Sequence, residues 1–227
     1  MAQDSIFFVG DVQGCASALE RLLKKAGYSP DRHRLIPLGD TINRGPENVR
    51  TLQCLQSLGA EPILGNHELK LLEALETHHR PEWMARQTVS KDLLIHPACD
   101  ALLSWIRAWP GYRTGKDWIA VHGGLHPTLP VEATPLDFLA FVRICDAQGK
   151  IPKKDSWDGF NETIPPGFKP WYSYYSGEKK VFYGHWARQG LVKTHRTLGL
   201  DTGCVYGLSL TGCWYPSGEL VHVPAQE

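Results

Sequence analysis

Apolar positions along this chain follow two alternating rhythms: short continuous runs of strand length, then segments with apolar residues three and four apart. Ser5–Val9 (SIFFV) reads as a buried strand. Ala16–Ala26 follows with Leu19, Leu22, Leu23 and Ala26 on one face, and Gly27 stops it. Arg34–Leu38 (RLIPL) predicts a second strand, set at a sheet edge by Pro37, which cannot donate to a ladder. Pro46 suits the first turn of a helix carrying Val49, Leu52, Leu55 and Leu58, closed by Gly59. Pro62–Leu64 predicts a third short strand, Glu68–Glu76 a leucine-rich helix and Asp100–Trp109 another helix. Trp118–Val121 (WIAV), Lys180–Tyr183 and Arg196–Leu200 are further strands, and Ser209–Tyr215 with Leu220–Val223 predicts a closing hairpin around Ser217-Gly218. The pattern is α/β, shading into α+β as it turns β-rich toward the C-terminus. Pro152–Tyr175, rich in Pro, Gly, Lys and aromatics, predicts a long ordered loop of the kind that often carries function.

A length of 227 residues suits one domain, 1–227, with a full core. Lys plus Arg number 24, and so do Asp plus Glu, so no global field favours nucleic acid or an anionic membrane. Neither a stable nucleic-acid complex nor a membrane partner is expected, and anion binding has to come from local arrangement. The six cysteines are scattered without a CxxC pair, which predicts reduced thiols in a cytoplasmic protein. The first residues carry no signal-peptide pattern, and no apolar run is long enough to span a bilayer.

The polar chemistry arrives at the ends of the apolar runs. SIFFV is followed by Gly10-Asp11, RLIPL by Gly39-Asp40, PIL by Gly65-Asn66-His67-Glu68, WIAV by His122-Gly123-Gly124, and VFY by Gly184-His185. Loops at the carboxyl ends of strands in open α/β sheets converge on one crevice, so Asp11, Asp40, Asn66, His122 and His185 can meet. Carboxylate, amide oxygen and imidazole together suit Mn²⁺, Mg²⁺, Fe or Zn²⁺. Taken singly, a Gly-Asp after a strand is ordinarily a turn, and an Asn before a helix is ordinarily a cap. All of them in this order, each after a strand, carry far more weight than any one.

GDVQG, GDTINRGP, GNHE, HGG and GHW resemble the signature of the phosphoprotein-phosphatase type of metallophosphoesterase. GDVQGC, the RGP of GDTINRGP, VFYGHWA and LDTGCVYG are most similar to the branch of bacterial symmetrical bis(5'-nucleosyl)-tetraphosphatases, the diadenosine tetraphosphate hydrolases. The resemblance implies a calcineurin-like metallophosphoesterase fold, two mixed β-sheets sandwiched between helices. It implies two divalent metal ions, Mn²⁺ first with Mg²⁺ or Co²⁺ as alternatives, held by Asp11, Gln13, Asp40, Asn66, His122 and His185, with Asp40 bridging. A hydroxide between the ions would attack phosphorus in line. His67 would protonate the leaving oxygen, Arg44 and Arg143 would clamp phosphate, and Asn66 and Trp186 would contact substrate. Glu68 would support Arg44 or His67, Asp201 would be another supporting group, and Trp171, Tyr172 or Trp186 would offer stacking surfaces for a base. His126, shortly after HGG, is a candidate for the mouth.

Three departures from the family pattern sharpen the expectation. The usual GDxHG histidine is Gln13, whose neutral, harder amide oxygen favours Mn²⁺ or Mg²⁺ over Fe or Zn²⁺. The usual GDxVDRG aspartate is Asn43, which weakens His67 as an acid and so favours a phosphoanhydride, with its good leaving group, over a phosphoprotein. Thr134–Val142 leads almost directly to Arg143, where relatives carry a longer insertion, so the site is expected to be open. The leading function is therefore hydrolysis of diadenosine tetraphosphate to two ADP. The alternatives are a serine/threonine or tyrosine protein phosphatase (HGGLHP points that way), a broader nucleoside-triphosphate or polyphosphate phosphatase, and a catalytically weak nucleotide sensor.

Overall fold

The computed structural model describes residues 5–77, 90–153, 157 and 163–226. In chain order the elements are β1 (Ser5–Val9), α1 (Ala16–Ala26), β2 (His33–Pro37), α2 (Asn48–Ser57), α3 (Asn66–Thr77), α4 (Lys91–Leu94), α5 (Cys99–Arg107), β3 (Tyr112–Thr114) and β4 (Trp118–Val121). They continue with α6 (Leu136–Phe141), β5 (Ile144–Cys145), β6 (Lys169–Pro170), β7 (Lys180–Tyr183), β8 (Val192–Lys193), β9 (Thr197–Gly199), β10 (Ser209–Tyr215) and β11 (Leu220–Pro224).

The strands form two mixed sheets, ordered β11-β10-β1-β2 and β3-β4-β7-β9-β8, and a small β5-β6 ribbon. Period-two alternation in β1 decides how they stack. Ile6 and Phe8 point between the sheets and meet Trp118, Ala120, Phe182 and Leu198 from the second one, with the Phe8 and Phe182 rings stacked at 4.0 Å. Phe7 and Val9 point the other way, onto Leu19, Leu22 and Leu23 of α1 and Leu55 of α2. On the far side of the second sheet, Val121, Val181 and Tyr183 pack on Leu139 of α6 and on Trp171. Each sheet thus has one face on the other sheet and one face under helices, the sandwich the family resemblance implied.

Most of the predicted elements form, and β2 lies at its sheet's edge as Pro37 requires. Pro62–Leu64 is the exception. Glu61 and Ile63 donate to Leu35 and Pro37 carbonyls, but no ladder follows. Neither Pro37 nor Pro62 has an N–H to return, and the carbonyls of Glu61 and Pro62 accept from Arg113 Nε instead. Helix α3 starts two residues before Glu68, at Asn66. The short pieces β3, β5, β6, β8, α4 and α6 were not legible as separate elements, because runs of two to six residues show no period. Of the Pro152–Tyr175 segment, residues 154–156 and 158–162 lie outside the described residues. Its C-terminal end pairs Lys169–Pro170 with Ile144–Cys145 and then turns through a 3-10 helix at Trp171–Ser173. Among the described residues no helix is long and apolar enough to cross a membrane.

Because β1 and β2 run parallel, as do β4, β7 and β9, five loops leave the two sheets at matching ends, and the Gly65 loop before α3 joins them. They meet closely enough that glycine is required. A Cβ on Gly184 would lie 2.1 Å from Asp11 Oδ1, and one on Gly65 would lie 2.3 Å from both the Asp40 nitrogen and Oδ1.

Candidate active site

Asp40 stands where these loops converge. It follows Gly39 with φ of +46°, a left-handed conformation that an aspartate tolerates only when its surroundings hold it. Its Oδ1 accepts from the main-chain N–H of His67 at 2.8 Å, in the first turn of α3, where the helix favours a negative charge. The same oxygen is 3.3 Å from His122 Nε2, and Oδ2 is 3.7 Å from His67 Nε2. Burial alone would raise this carboxyl. The imidazole of His122, through its charge and its contact with Oδ1, chiefly overcomes burial and holds it below the usual carboxylate range.

Both metal-candidate histidines have one ring nitrogen committed. His122 Nδ1 donates to the Leu38 carbonyl at 2.7 Å, and His185 Nε2 donates to the Phe141 carbonyl at 3.0 Å. The remaining nitrogens face inward. His122 Nε2 meets Asn66 Oδ1 at 3.2 Å as well as Asp40, while His185 Nδ1 is buried with no hydrogen-bond partner. Ligand atoms of Asp40, His122 and His185 lie within 4.8 Å of one another. Imidazoles fixed by a backbone carbonyl and turned toward a carboxylate are placed to bind a metal, His185 through its unpartnered Nδ1 and His122 through Nε2 once a cation displaces the proton that Asp40 favours there.

Asp11 adds a second carboxylate beside the first. Its two oxygens accept from the His185 N–H at 3.1 and 3.3 Å, and it shares a hydrogen bond with Asp201, whose Oδ1 also accepts from Gly203 N–H at 3.1 Å. Burial first, then the charges of Asp201 and Asp40, push Asp11 well above its ordinary value. Three buried acids crowded together are costly without a cation among them. That crowding, with the unpartnered nitrogen of His185, fits a divalent metal centre. Gln13 lines the same pocket at φ +46°, tied to the bridging loop by its N–H to the Asp40 carbonyl at 2.8 Å.

Glu68 corrects an expectation. It supports neither Arg44 nor His67; it is fully buried and clamps the backbone of two loops. Its oxygens accept from the N–H groups of Asp40, Thr41 and Gly65 at 2.8–2.9 Å and from Thr41 Oγ1 at 3.0 Å. Asn43 does reach His67. Its Nδ2 lies 3.2 Å from the His67 carbonyl, which can only accept, so the amide nitrogen faces α3 and its Oδ1 faces the Ser90 hydroxyl. The same Nδ2 is 3.1 Å from His67 Nδ1, which therefore accepts and leaves the proton on Nε2, on the Asp40 side. Burial holds His67 below its ordinary value, in the neutral form this geometry selects.

Above this floor opens a pocket of about 550 Å³, a volume that suits a nucleotide. Arg44, Lys70, Arg143 and Arg188 line it, as do Phe141, Trp186, Tyr206 and Leu208. Arg143 Nη2 donates to the His185 carbonyl at 3.3 Å, and Arg44 stacks 5.3 Å over the Tyr206 ring. Of the aromatics considered for stacking, only Trp186 lines the pocket. Trp171 is 1% exposed in the core beside β4 and β7, and Tyr172 packs there with its hydroxyl on Gln189. His126 lines a separate cavity and accepts from the N–H groups of Thr128 and Leu129, so it is not at the mouth. Lys70, Phe141, Arg188, Tyr206 and Leu208 were missed. Lys70 could have been found, since it follows Asn66 by one helical turn in α3. Tyr206 lies inside LDTGCVYG, from which only Asp201 was given a role, and the others carry no motif.

A calcineurin-like phosphoesterase family model matches residues 5–204. The fold, the paired carboxylates and the inward-facing histidines define the class, and the chain belongs to the calcineurin-like phosphoesterase family, whose members are metal-dependent hydrolases. The more particular likeness is to symmetrical bis(5'-nucleosyl)-tetraphosphatases. The one from Acidovorax ebreus (strain TPSY) is 32% identical, covering 89% of this chain and 89% of its own. The one from Pseudomonas fluorescens (strain Pf0-1) is 29% identical, covering 97% and 92%. Among solved structures, a putative diadenosine tetraphosphatase superposes with a TM-score of 0.79 at 27% identity, covering 98% of this chain and 94% of that one. The cold-active protein-tyrosine phosphatase of a Shewanella species shares the fold, with a TM-score of 0.60 at 18% identity, 98% of this chain and 78% of that one.

Proposed function

We propose that this protein hydrolyses diadenosine tetraphosphate symmetrically, giving two ADP. Asp40, Asn66, His122 and His185 would hold one divalent cation, and Asp11 and Gln13 would hold a second that Asp40 shares. When bound, such cations polarise phosphoryl oxygens and provide an activated water at neutral pH. Gln13 favours Mn²⁺ or Mg²⁺ at the second position, because an amide oxygen is a hard ligand.

The protein's own residues then divide the remaining work. Arg44 and Arg143 orient the phosphate chain over the floor, their planar forks matching phosphate oxygens. His67 offers its Nε2–H to the leaving oxygen. As a neutral imidazole with Asn43 donating to its other nitrogen, it is a weak acid. A nucleoside diphosphate needs little proton assistance to leave, whereas a serine or tyrosine oxygen needs more, so the Asn43–His67 pair favours an anhydride. A cytoplasmic compartment fits the six free thiols.

The observation that carries this reading is one pocket with buried acids and inward-facing imidazole nitrogens below, and with cations and aromatic rings above. The test is a product assay with Mn²⁺ across diadenosine tetraphosphate, ATP, tripolyphosphate and phosphoserine and phosphotyrosine peptides. ADP as the sole nucleotide product from the tetraphosphate is expected. ATP plus AMP would refute symmetrical cleavage, and phosphopeptide turnover at a comparable rate would favour the protein-phosphatase reading instead.

A further inference from the structure

Among the described residues, the only large apolar side chains that line the active-site pocket and are also left exposed are Tyr206, at 54%, and Leu208, at 61%. They sit two residues apart on one turn. Single exposed apolar residues are ordinary on a protein surface, but an adjacent pair inside a cationic pocket is not.

The turn that carries them is stiff. Gly203 and Gly207 bracket it with φ of +73° and +83°. The N–H groups of Tyr206 and Leu208 both donate to the Gly203 carbonyl, at 3.0 and 3.2 Å, and Gly207 N–H donates to Cys204 at 3.0 Å. Thr202 Oγ1 closes the base onto the Ser209 carbonyl at 2.7 Å, and the Cys204 side chain is buried beneath. Asp201 receives the Gly203 N–H and shares a hydrogen bond with Asp11. The backbone that carries the ring is therefore held in place relative to the acidic floor before any ligand arrives.

Arg44 connects the two. Its guanidinium lies 5.3 Å from the centre of the Tyr206 ring and within electrostatic reach of His67 and Arg143. We propose that Tyr206, flanked by Leu208, is the platform on which a nucleobase of the substrate stacks, with Arg44 holding that nucleotide's phosphates toward the floor. A nucleotide offers a planar ring and an anionic chain separated by a sugar, matching a shelf whose neighbouring guanidinium lines the same pocket as Asp40 and Arg143. A phosphotyrosine, its ring bonded directly to phosphate, does not match that separation. This inference rests on the nucleotide reading of the site.

The test compares wild type, Tyr206→Ala and Tyr206→Trp with Mn²⁺, measuring KM and kcat for diadenosine tetraphosphate and the inhibition constant of base-free inorganic pyrophosphate. One lost base stack raises the KM of Tyr206→Ala about tenfold. The pyrophosphate constant stays within about twofold, and Tyr206→Trp restores the KM. An equal rise in both constants would mean that the ring only props Arg44, and an unchanged KM would mean that no base stacks there; either overturns the proposal while leaving the nucleotide reading in place. Wild type that fails to cleave the tetraphosphate but dephosphorylates a phosphopeptide overturns the reading and the platform together.

Discussion

On the floor of the pocket, Asp11, Asp40, Glu68, His122 and His185 are all buried, and each has its orientation set by main-chain hydrogen bonds. On the rim, Tyr206 and Leu208 stay more than half exposed, carried by one turn and, for Tyr206, met by Arg44. The floor is expensive. It concentrates acids in a buried place and keeps Gln13, Asp40, Asn43, Arg44 and His185 at positive φ, conformations that cost of order 1–3 kcal/mol each where nothing compensates. The rim costs little and can vary. A site built this way fixes its chemistry in a rigid, over-determined base and leaves the choice of substrate to groups that can change without disturbing it.

The contrast can be broken by substitution, and the floor should give the larger losses. Asp40→Asn should lower kcat/KM by at least about 1,000-fold, since the bridging charge is lost. It should also abolish the rise in Tm that Mn²⁺ gives wild type, which calorimetry can follow. Glu68→Gln touches no reacting atom, yet its oxygens hold both the Asp40 and Gly65 loops, so activity should fall about 10–100-fold. Stability should fall by about 1–3 kcal/mol, read by urea unfolding, because a buried amide cannot accept from every N–H that the carboxylate does. If Tyr206→Ala proved as damaging to kcat as either of these, the separation of floor from rim would collapse.

Asp11→Asn should act in opposite directions on the two forms of the protein. Burial, Asp201 and Asp40 raise the Asp11 carboxyl, so in the metal-free protein its stabilising contribution is present at acid pH, below the unfolded value, and is lost as the pH rises through the folded value. Neutralising it should therefore stabilise the metal-free protein at pH 7.5 by about 1 kcal/mol, near 3 °C in Tm for a chain this size, and the gain should vanish at acid pH. With Mn²⁺ present the order should reverse, because wild type gains from the ion and the variant does not. A metal-free variant less stable than wild type at pH 7.5 would mean that the acid cluster is not strained. The smallest effect expected is at Gln13→His: little change in turnover with Mn²⁺, but a severalfold gain in affinity for Zn²⁺ over Mn²⁺ by titration. An unchanged preference would show that Gln13 does not reach the ion.

The sequence by itself determined most of the alternating elements and the five polar motifs, four of them at strand ends, because strand period, helix period and glycine-bracketed acids are local properties that neighbours in the chain dictate. It therefore determined which residues form the floor. It also flagged Asn43, although only the carbonyl of His67, facing the same amide nitrogen, decided which tautomer of His67 results. Three further outcomes belong to the tertiary structure alone. Pro62–Leu64 fails as a strand because its would-be partner, β2, presents Pro37 there. Glu68 became a loop clamp, although its place in the motif pointed to Arg44 or His67, because α3 aims it under the Asp40 backbone. Trp171 went to the core while Tyr206, inside LDTGCVYG but given no role from it, went to the pocket. Which of two aromatics is buried depends on what packs against it from distant parts of the chain, and that is settled only when both sheets and their helices are in place.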